Sequence, residues 1–162
     1  MIFREIHPEE TEQAIVIEQI CFPPNEACSP KSMRERIAAA PELFLIAEED
    51  GALAGFLNGV STEEELFRDE FFTDVTLHDP AAQTEFLMGL DVLPQYRGQG
   101  LARELVRLYG IRGQVRGRLK MVLTAHEEKL GMYEKMGFKD LGISGSVWGG
   151  NPWHEMEIRL DR

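Results

Sequence analysis

Leu87–Leu108 reads LMGLDVLPQYRGQGLARELVRL, and the order of its parts decides the fold. An apolar, strand-like run ends at Pro94, a glycine turn follows at Arg97–Gly100, and apolar residues recur at helical spacing from Leu101. A strand, a glycine turn and a helix in that order leave unpaired backbone N–H groups at a helix N-terminus. That arrangement binds anions, phosphate most often.

The bulk composition bounds what this site can serve. At 162 residues, 43% hydrophobic and 28% charged, the chain is expected to form one domain over 1–162 with a real core. Twenty-eight acids against 17 bases leave a net charge of −11, which argues against binding a nucleic-acid backbone and suits a cationic substrate. No run of about 18 apolar residues is present, so no membrane span is expected. The opening MIFREIHPEE lacks the apolar segment of a signal peptide, and Cys21 and Cys28 lack metal-ligand spacing. The expectation is a cytoplasmic protein without a metal, monomer or homodimer, with Cys21 in the core and Cys28 in a loop.

The flanks suggest a sheet with helices on it. Met1–Ile6 reads as a strand, and Pro8 with Glu9 and Glu10 opens a helix that Pro23–Pro24 stops. Ser29 caps a second helix, Pro30–Ala40. Glu42–Glu48 and Ala52–Val60 read as strands joined by a hairpin at Glu49-Asp50-Gly51. Ser61 or Thr62 ahead of Glu63–Glu65 predicts a further helix start, with Leu66, Phe67, Phe71 and Phe72 as an apolar stripe. Thr84–Leu93 is the central strand. The helix from Leu101 runs to about Ile111, with Gly113 and Gly117 at its exit. Arg118–Thr124 is a strand, Glu127–Met136 a helix closed by Gly137, and Phe138–Val147 and Trp153–Leu160 are the last strands.

Two nucleotide motifs fail. A dinucleotide loop wants G-x-G-x-x-G early in the chain, but Arg103 holds the third glycine position and the turn comes late. A Walker loop needs Gly-Lys-Ser/Thr, which is missing. Val92–Ala102 instead resembles the acetyl-CoA pyrophosphate loop of the GNAT superfamily of N-acetyltransferases, whose Gln/Arg-x-x-Gly-x-Gly/Ala signature is matched by Arg97, Gly100 and Ala102. The family's later tyrosine before a Gly-Phe pair is matched by Tyr133 ahead of Gly137-Phe138. The likeness spans essentially the whole chain. It implies an α/β (α+β) fold: a mixed, mostly antiparallel sheet of about seven strands, flanked by helices, with a splayed central strand.

The resemblance also implies roles. Acetyl-CoA would be the cosubstrate, held by Leu90, Asp91, Val92, Arg97, Gly98, Gln99, Gly100, Leu101, Ala102, Arg103 and His126. Gly89 inside the strand marks a bulge or a close backbone approach. Tyr133 would be the general acid that protonates the departing thiolate. Phe22-Pro23-Pro24-Asn25-Glu26-Ala27, Thr76-Leu77-His78 and Gly145-Ser146-Val147…Glu155-Met156-Glu157 are similar to the arylalkylamine (serotonin-type) N-acetyltransferases. On that likeness Phe22, Pro24 and Glu26 line the amine pocket, with Trp148 and Trp153 as further aromatic walls. Those relatives carry two histidines on the central strand where this chain has Phe86 and Met88. A base or a water relay must then deprotonate the amine; the candidates are Glu85, Asp91, His78, His126 and His154, and Glu85 on the central strand is the choice. The expected reaction is direct acetyl transfer to a small arylalkylamine or polyamine. Acetylation of a protein N-terminus or lysine, and a CoA-binding module without catalysis, are the alternatives.

Overall fold

The computed structural model describes residues 1–161. Seven strands form one sheet: β1 (Ile2–Glu5), β2 (Phe44–Glu49), β3 (Ala52–Thr62), β4 (Thr84–Val92), β5 (Lys120–Ala125), β6 (Lys139–Ile143) and β7 (His154–Arg159). Their spatial order is β1-β2-β3-β4-β5-β7-β6, and only β4 and β5 run parallel. Helices α1 (Thr11–Cys21), α2 (Pro30–Ala39), α3 (Leu101–Val115) and α4 (Leu130–Lys135) flank it. The mostly antiparallel sheet with a splayed centre is the architecture expected.

Both faces of the sheet are covered, so its inner strands are buried on both sides rather than alternating between core and solvent. On β2, Phe44 and Ile46 pack with Ile17, Met33 and Ile37 of α1 and α2, while Leu45 and Ala47 pack with Leu105 and Tyr109 of α3. Ser29 caps α2 as expected, accepting the Ser32 N–H at 3.1 Å.

Two local expectations fail for the same reason. Ser61 and Thr62 do not start a helix; they continue β3 and pair with Glu85 and Thr84. Cross-strand pairing in a buried sheet outweighs a local capping box. Phe67, Phe71 and Phe72 still form a cluster with Phe86 and Met88, but Leu66 is 67% exposed. Gly113 does not end α3 either. It lies inside the helix, where an added Cβ would stand 3.1 Å from Glu85 Oε2 and from Leu160, and Gly117 at φ +81 ends the helix instead.

Candidate active site

The cleft originates in strand register. β4 and β5 pair only over Thr84–Phe86 and Lys120–Val122. Beyond that point β4 carries a bulge against β3, where Asn58 faces Gly89 and Gly59 faces Leu87, leaving Met88 as the extra residue. A bulge bends its strand, and β4 parts from β5. The gap opens into a cavity of about 920 Å³ lined by Leu90, Val92, the glycine turn, the start of α3, the end of β5, and Tyr133 and its neighbours on α4.

One end of this cavity holds the glycine turn and the N-terminus of α3, the chemistry that binds anions. Gly98 and Gly100 sit at φ +77 and +78, a left-handed region open to glycine at little strain, and nothing lies within 4 Å of a Cβ added to either. The open side faces outward beside the first amides of α3, which have no helical acceptor. Arg97, held by its Nε–H donated to Val92 O at 2.9 Å, and Arg103 bring positive charge there. Gly100→Ala would strain that backbone by ~1 kcal/mol and place a methyl group on the anion face. Acetyl-CoA affinity by calorimetry is expected to fall about tenfold or more; an unchanged affinity would show that this turn does not carry the pyrophosphate.

Tyr133 lines the cleft from α4, its ring edge-on to Phe138 at 5.8 Å. Burial, and next the negative charge of Asp91, push its phenol up to about 12. It keeps its proton through the neutral range, so it is a donor rather than a base.

The other end is aromatic and acidic. Phe72 stacks on Trp148 with centroids 4.1 Å apart, and His126 stacks on Trp153 at 3.8 Å. Glu26, in the α1–α2 loop, accepts from His126 Nε2 at 3.1 Å and from Asn151 Nδ2 at 2.9 Å, while its backbone carbonyl accepts the Trp148 indole N–H at 2.8 Å. Asn25 Nδ2 donates to Gly149 O at 3.0 Å. These bonds tie the α1–α2 loop to the β6–β7 loop.

The cavity thus gathers Leu90, Val92, Arg97, Gly98, Gly100, Leu101, Ala102, Arg103, His126 and Tyr133 with Phe22, Glu26, Trp148 and Trp153. Pro24 and Gln99 do not line it, and Asp91 is fully buried behind Gly89 rather than facing a cofactor. His78 is buried between the Ser61 N–H and Glu42, and His154 bonds Asp140 on the outer hairpin. Cys21, expected in the core, is half-buried and lines the cavity, whereas the loop residue Cys28 is buried. Glu18 also lines the cavity, and nothing in the sequence marked it.

Glu85 is corrected. It is 0% exposed and lies where β4 and β5 are still paired, against Gly113, Leu160 and Arg118, away from the cleft. Burial pushes its carboxyl up to about 7 despite the Arg118 guanidinium 3.4 Å away. The folded state therefore holds this proton above the ordinary 4.5, and stability contributed by it falls as pH rises from about 4.5 to 7. Glu85→Gln should gain on the wild type by up to ~3 kcal/mol between pH 5 and 8 in denaturant titrations. A constant difference across that range would sink the assignment.

A parallel strand pair that parts over a glycine turn at a helix N-terminus, with a half-buried tyrosine across the gap, is the arrangement of an acyl-CoA-dependent acyltransferase. The chain belongs to the acetyltransferase (GNAT) domain family, whose pattern matches residues 6–160, and it is an acetyl-CoA-dependent N-acetyltransferase. No curated protein matches it by sequence. Among solved structures it is similar to the GphF GNAT-like decarboxylase in complex with isobutyryl-CoA (17% identity, 99% of this chain and 100% of that chain, TM-score 0.85). It is also similar to the loading GNATL domain of CurA from Lyngbya majuscula (15%, 98% and 97%, 0.84). A third is yncA, a putative acetyltransferase from Salmonella typhimurium with its cofactor acetyl-CoA (17%, 100% and 95%, 0.70). Among the described residues, no helix is long and apolar enough to cross a membrane, and no cluster of three or more His, Cys, Asp and Glu could hold a metal.

Proposed function

We propose that this enzyme acetylates the primary amino group of a small amine with an apolar or aromatic body, such as an arylalkylamine or a polyamine. The observation that carries the reading is the division of charge along one cavity. Arg97 and Arg103 stand at the glycine turn, whereas Glu26 is bonded to Trp148 and His126, which stack on Phe72 and Trp153. An ammonium group on an aromatic body is complementary to acids set in aromatic walls.

The ties across the mouth support a small acceptor. Glu26 to Asn151, Trp148 to Glu26 and Asn25 to Gly149 join the two loops that would otherwise leave room for an extended peptide. Direct attack in a ternary complex is supported by Cys21, whose thiol is pushed up by burial and bonds Val92 O at 3.4 Å. Such a thiol is a poor nucleophile for a covalent acyl relay. The backbone of Leu90–Val92, beyond the point where β4 leaves β5, would pair with the pantetheine arm, and an N–H there would polarise the thioester carbonyl. Tyr133 then donates its proton to the leaving sulfur.

GphF is described as a decarboxylase that binds an acyl-CoA. A carboxylated acyl group would bring an anion towards Glu18 and Asp91, which repel it, so the electrostatics of this chain favour amine acylation. The test incubates the enzyme with acetyl-CoA and a panel of arylalkylamines, polyamines, amino acids and peptides, and follows free thiol. Thiol release with small amines is expected. Release with peptides alone would replace the small-amine reading. Tight acetyl-CoA binding without thiol release, or carbon dioxide from malonyl-CoA, would remove it.

A further inference from the structure

β3 and β4 are antiparallel neighbours that a two-residue turn could join. Residues 63–83 intervene instead, and they lay Phe67, Phe71 and Phe72 over Phe86 and Met88 of β4. Of the three, only Phe72 lines the cavity. Its ring meets Phe67 at 5.6 Å and lies stacked on Trp148, with centroids 4.1 Å apart and planes 18° apart. A stack at that spacing leaves no room between the rings, so the two close this part of the wall.

Both rings are held from behind. The Trp148 indole N–H donates to Glu26 O at 2.8 Å. Asp69, in the same short turn as Phe72, accepts the Ser146 hydroxyl and the Val147 N–H at 3.1 Å, which pins the segment to the loop that carries Trp148. Phe72 O accepts from the Arg36 guanidinium at 3.2 Å and from the Cys28 thiol at 3.6 Å. The same guanidinium donates to Asn58 Oδ1 at 2.9 Å and to Cys28 Sγ at 3.3 Å. Asn58, on β3, in turn donates its Nδ2 to Gly89 O at 3.3 Å, at the bulge.

Arg36 is 3% exposed, and these three acceptors are all neutral. A buried guanidinium in neutral company adds little stability. What its planar fork does fix is geometry. It ties the Phe72 carbonyl, through Asn58, to the stretch of β4 that leaves β5.

Resting on the amine-acetylation reading, we propose that Phe72 is the specificity-determining residue for the acceptor and that Arg36 is the residue that positions it. The stacked rings of Phe72 and Trp148 bound the space for the acceptor's body. Arg36 sets how far that boundary stands from Gly89 and the opening between β4 and β5. An amine whose body meets the boundary too early holds its nitrogen short of that opening, and a misplacement of about 1 Å costs roughly 10²-fold in rate. Neither residue belongs to the glycine turn or to α3, so acetyl-CoA affinity is expected to be independent of both.

The probes are 2-phenylethylamine and its naphthyl counterpart, whose ammonium groups are alike and whose bodies differ by one fused ring. The wild type should turn over the smaller amine with the higher kcat/KM. In Phe72→Ala the ratio of kcat/KM, larger amine over smaller, should rise by about tenfold or more, chiefly through KM. Phe72→Leu, which disturbs the core less, should move the ratio the same way by about threefold. Acetyl-CoA affinity, measured alongside, should stay within about threefold and checks that each variant is folded. Arg36→Met should also raise the ratio, but adding it to Phe72→Ala should change it by less than about twofold, because Arg36 acts through Phe72. Equal losses with both amines, or a wild type that already favours the larger one, would overturn the proposal. A further full shift in the double variant would overturn the positioning role of Arg36. Thiol release with polyamines alone would overturn the proposal while amine acetylation stands, and release with no amine would remove both.

Discussion

Tyr133→Phe should lower kcat by roughly 10²–10⁴-fold, the usual worth of a positioned general acid, while acetyl-CoA affinity stays within about threefold. The two readouts separate because the phenyl ring keeps its contact with Phe138 and its place in the wall, and only the hydroxyl is lost. No hydrogen bond contributes to the state of this hydroxyl among the described residues, so its removal orphans no partner. Its proton is held up to about 12, first by burial and then by Asp91, so the wild-type profile should show no limb from Tyr133 below that value. In the variant the leaving sulfur must depart as a free thiolate or be protonated by water. Single-turnover thiol release against calorimetric affinity decides it. Unchanged turnover across pH, or a loss confined to affinity, would end the proposed acid role.

Gly55→Ala is expected to be the most damaging single methyl group in the sheet. A Cβ at Gly55 would lie 2.2 Å from Asp91 O and 3.1 Å from Val92 Cα, both backbone atoms that cannot rotate aside. Relief requires pushing the end of β4 off β3, and that end also anchors the glycine turn through Val92 O to Arg97 and Ala54 O to Leu93 N. Overpacking of this kind costs about 3 kcal/mol at its upper range, or a Tm lower by roughly 10 °C for a chain of this length. Acetyl-CoA affinity should fall with it. Gly145→Ala is the control, since nothing lies within 4 Å and its φ is not positive; it should stay within about 0.5 kcal/mol. A Tm for Gly55→Ala within about 2 °C of the wild type would mean that β4 is free to shift.

The misplacement of Glu85 shows where one-dimensional reading stops. A glutamate on the central strand invites the role of base, but the cleft opens only past Phe86, where the β4–β5 pairing ends. Glu85 stays in the closed part of the sheet, under Gly113 of α3. The spacing of Gly113 in turn suggested a helix exit because glycine is a poor helix residue. The close packing of α3 on Glu85 and Leu160, which no neighbour in sequence announces, explains why it sits mid-helix.

Contacts between distant segments hid the rest. Glu26, His126 and Asn151 are each unremarkable in sequence, yet meet within 3.2 Å because two loops converge over the end of β5. Glu18 is one of several acids on α1 and became notable only once α1 was laid over the bulge at Gly89.

By itself the sequence determined the anion turn, the tyrosine on the late helix, and the class of sheet that joins them. The turn is written in short-range chemistry, in glycines, a proline that ends a strand and apolar residues at a fixed period, whereas the tyrosine and the class of sheet were implied by the resemblance to the GNAT superfamily. Tertiary structure alone decided the acceptor end. Which acids stay buried, which are paired and which face the cleft depend on the strand register and on loop closure across a hundred residues. The burial and partners of a carboxyl, rather than its position in the chain, set what its proton does.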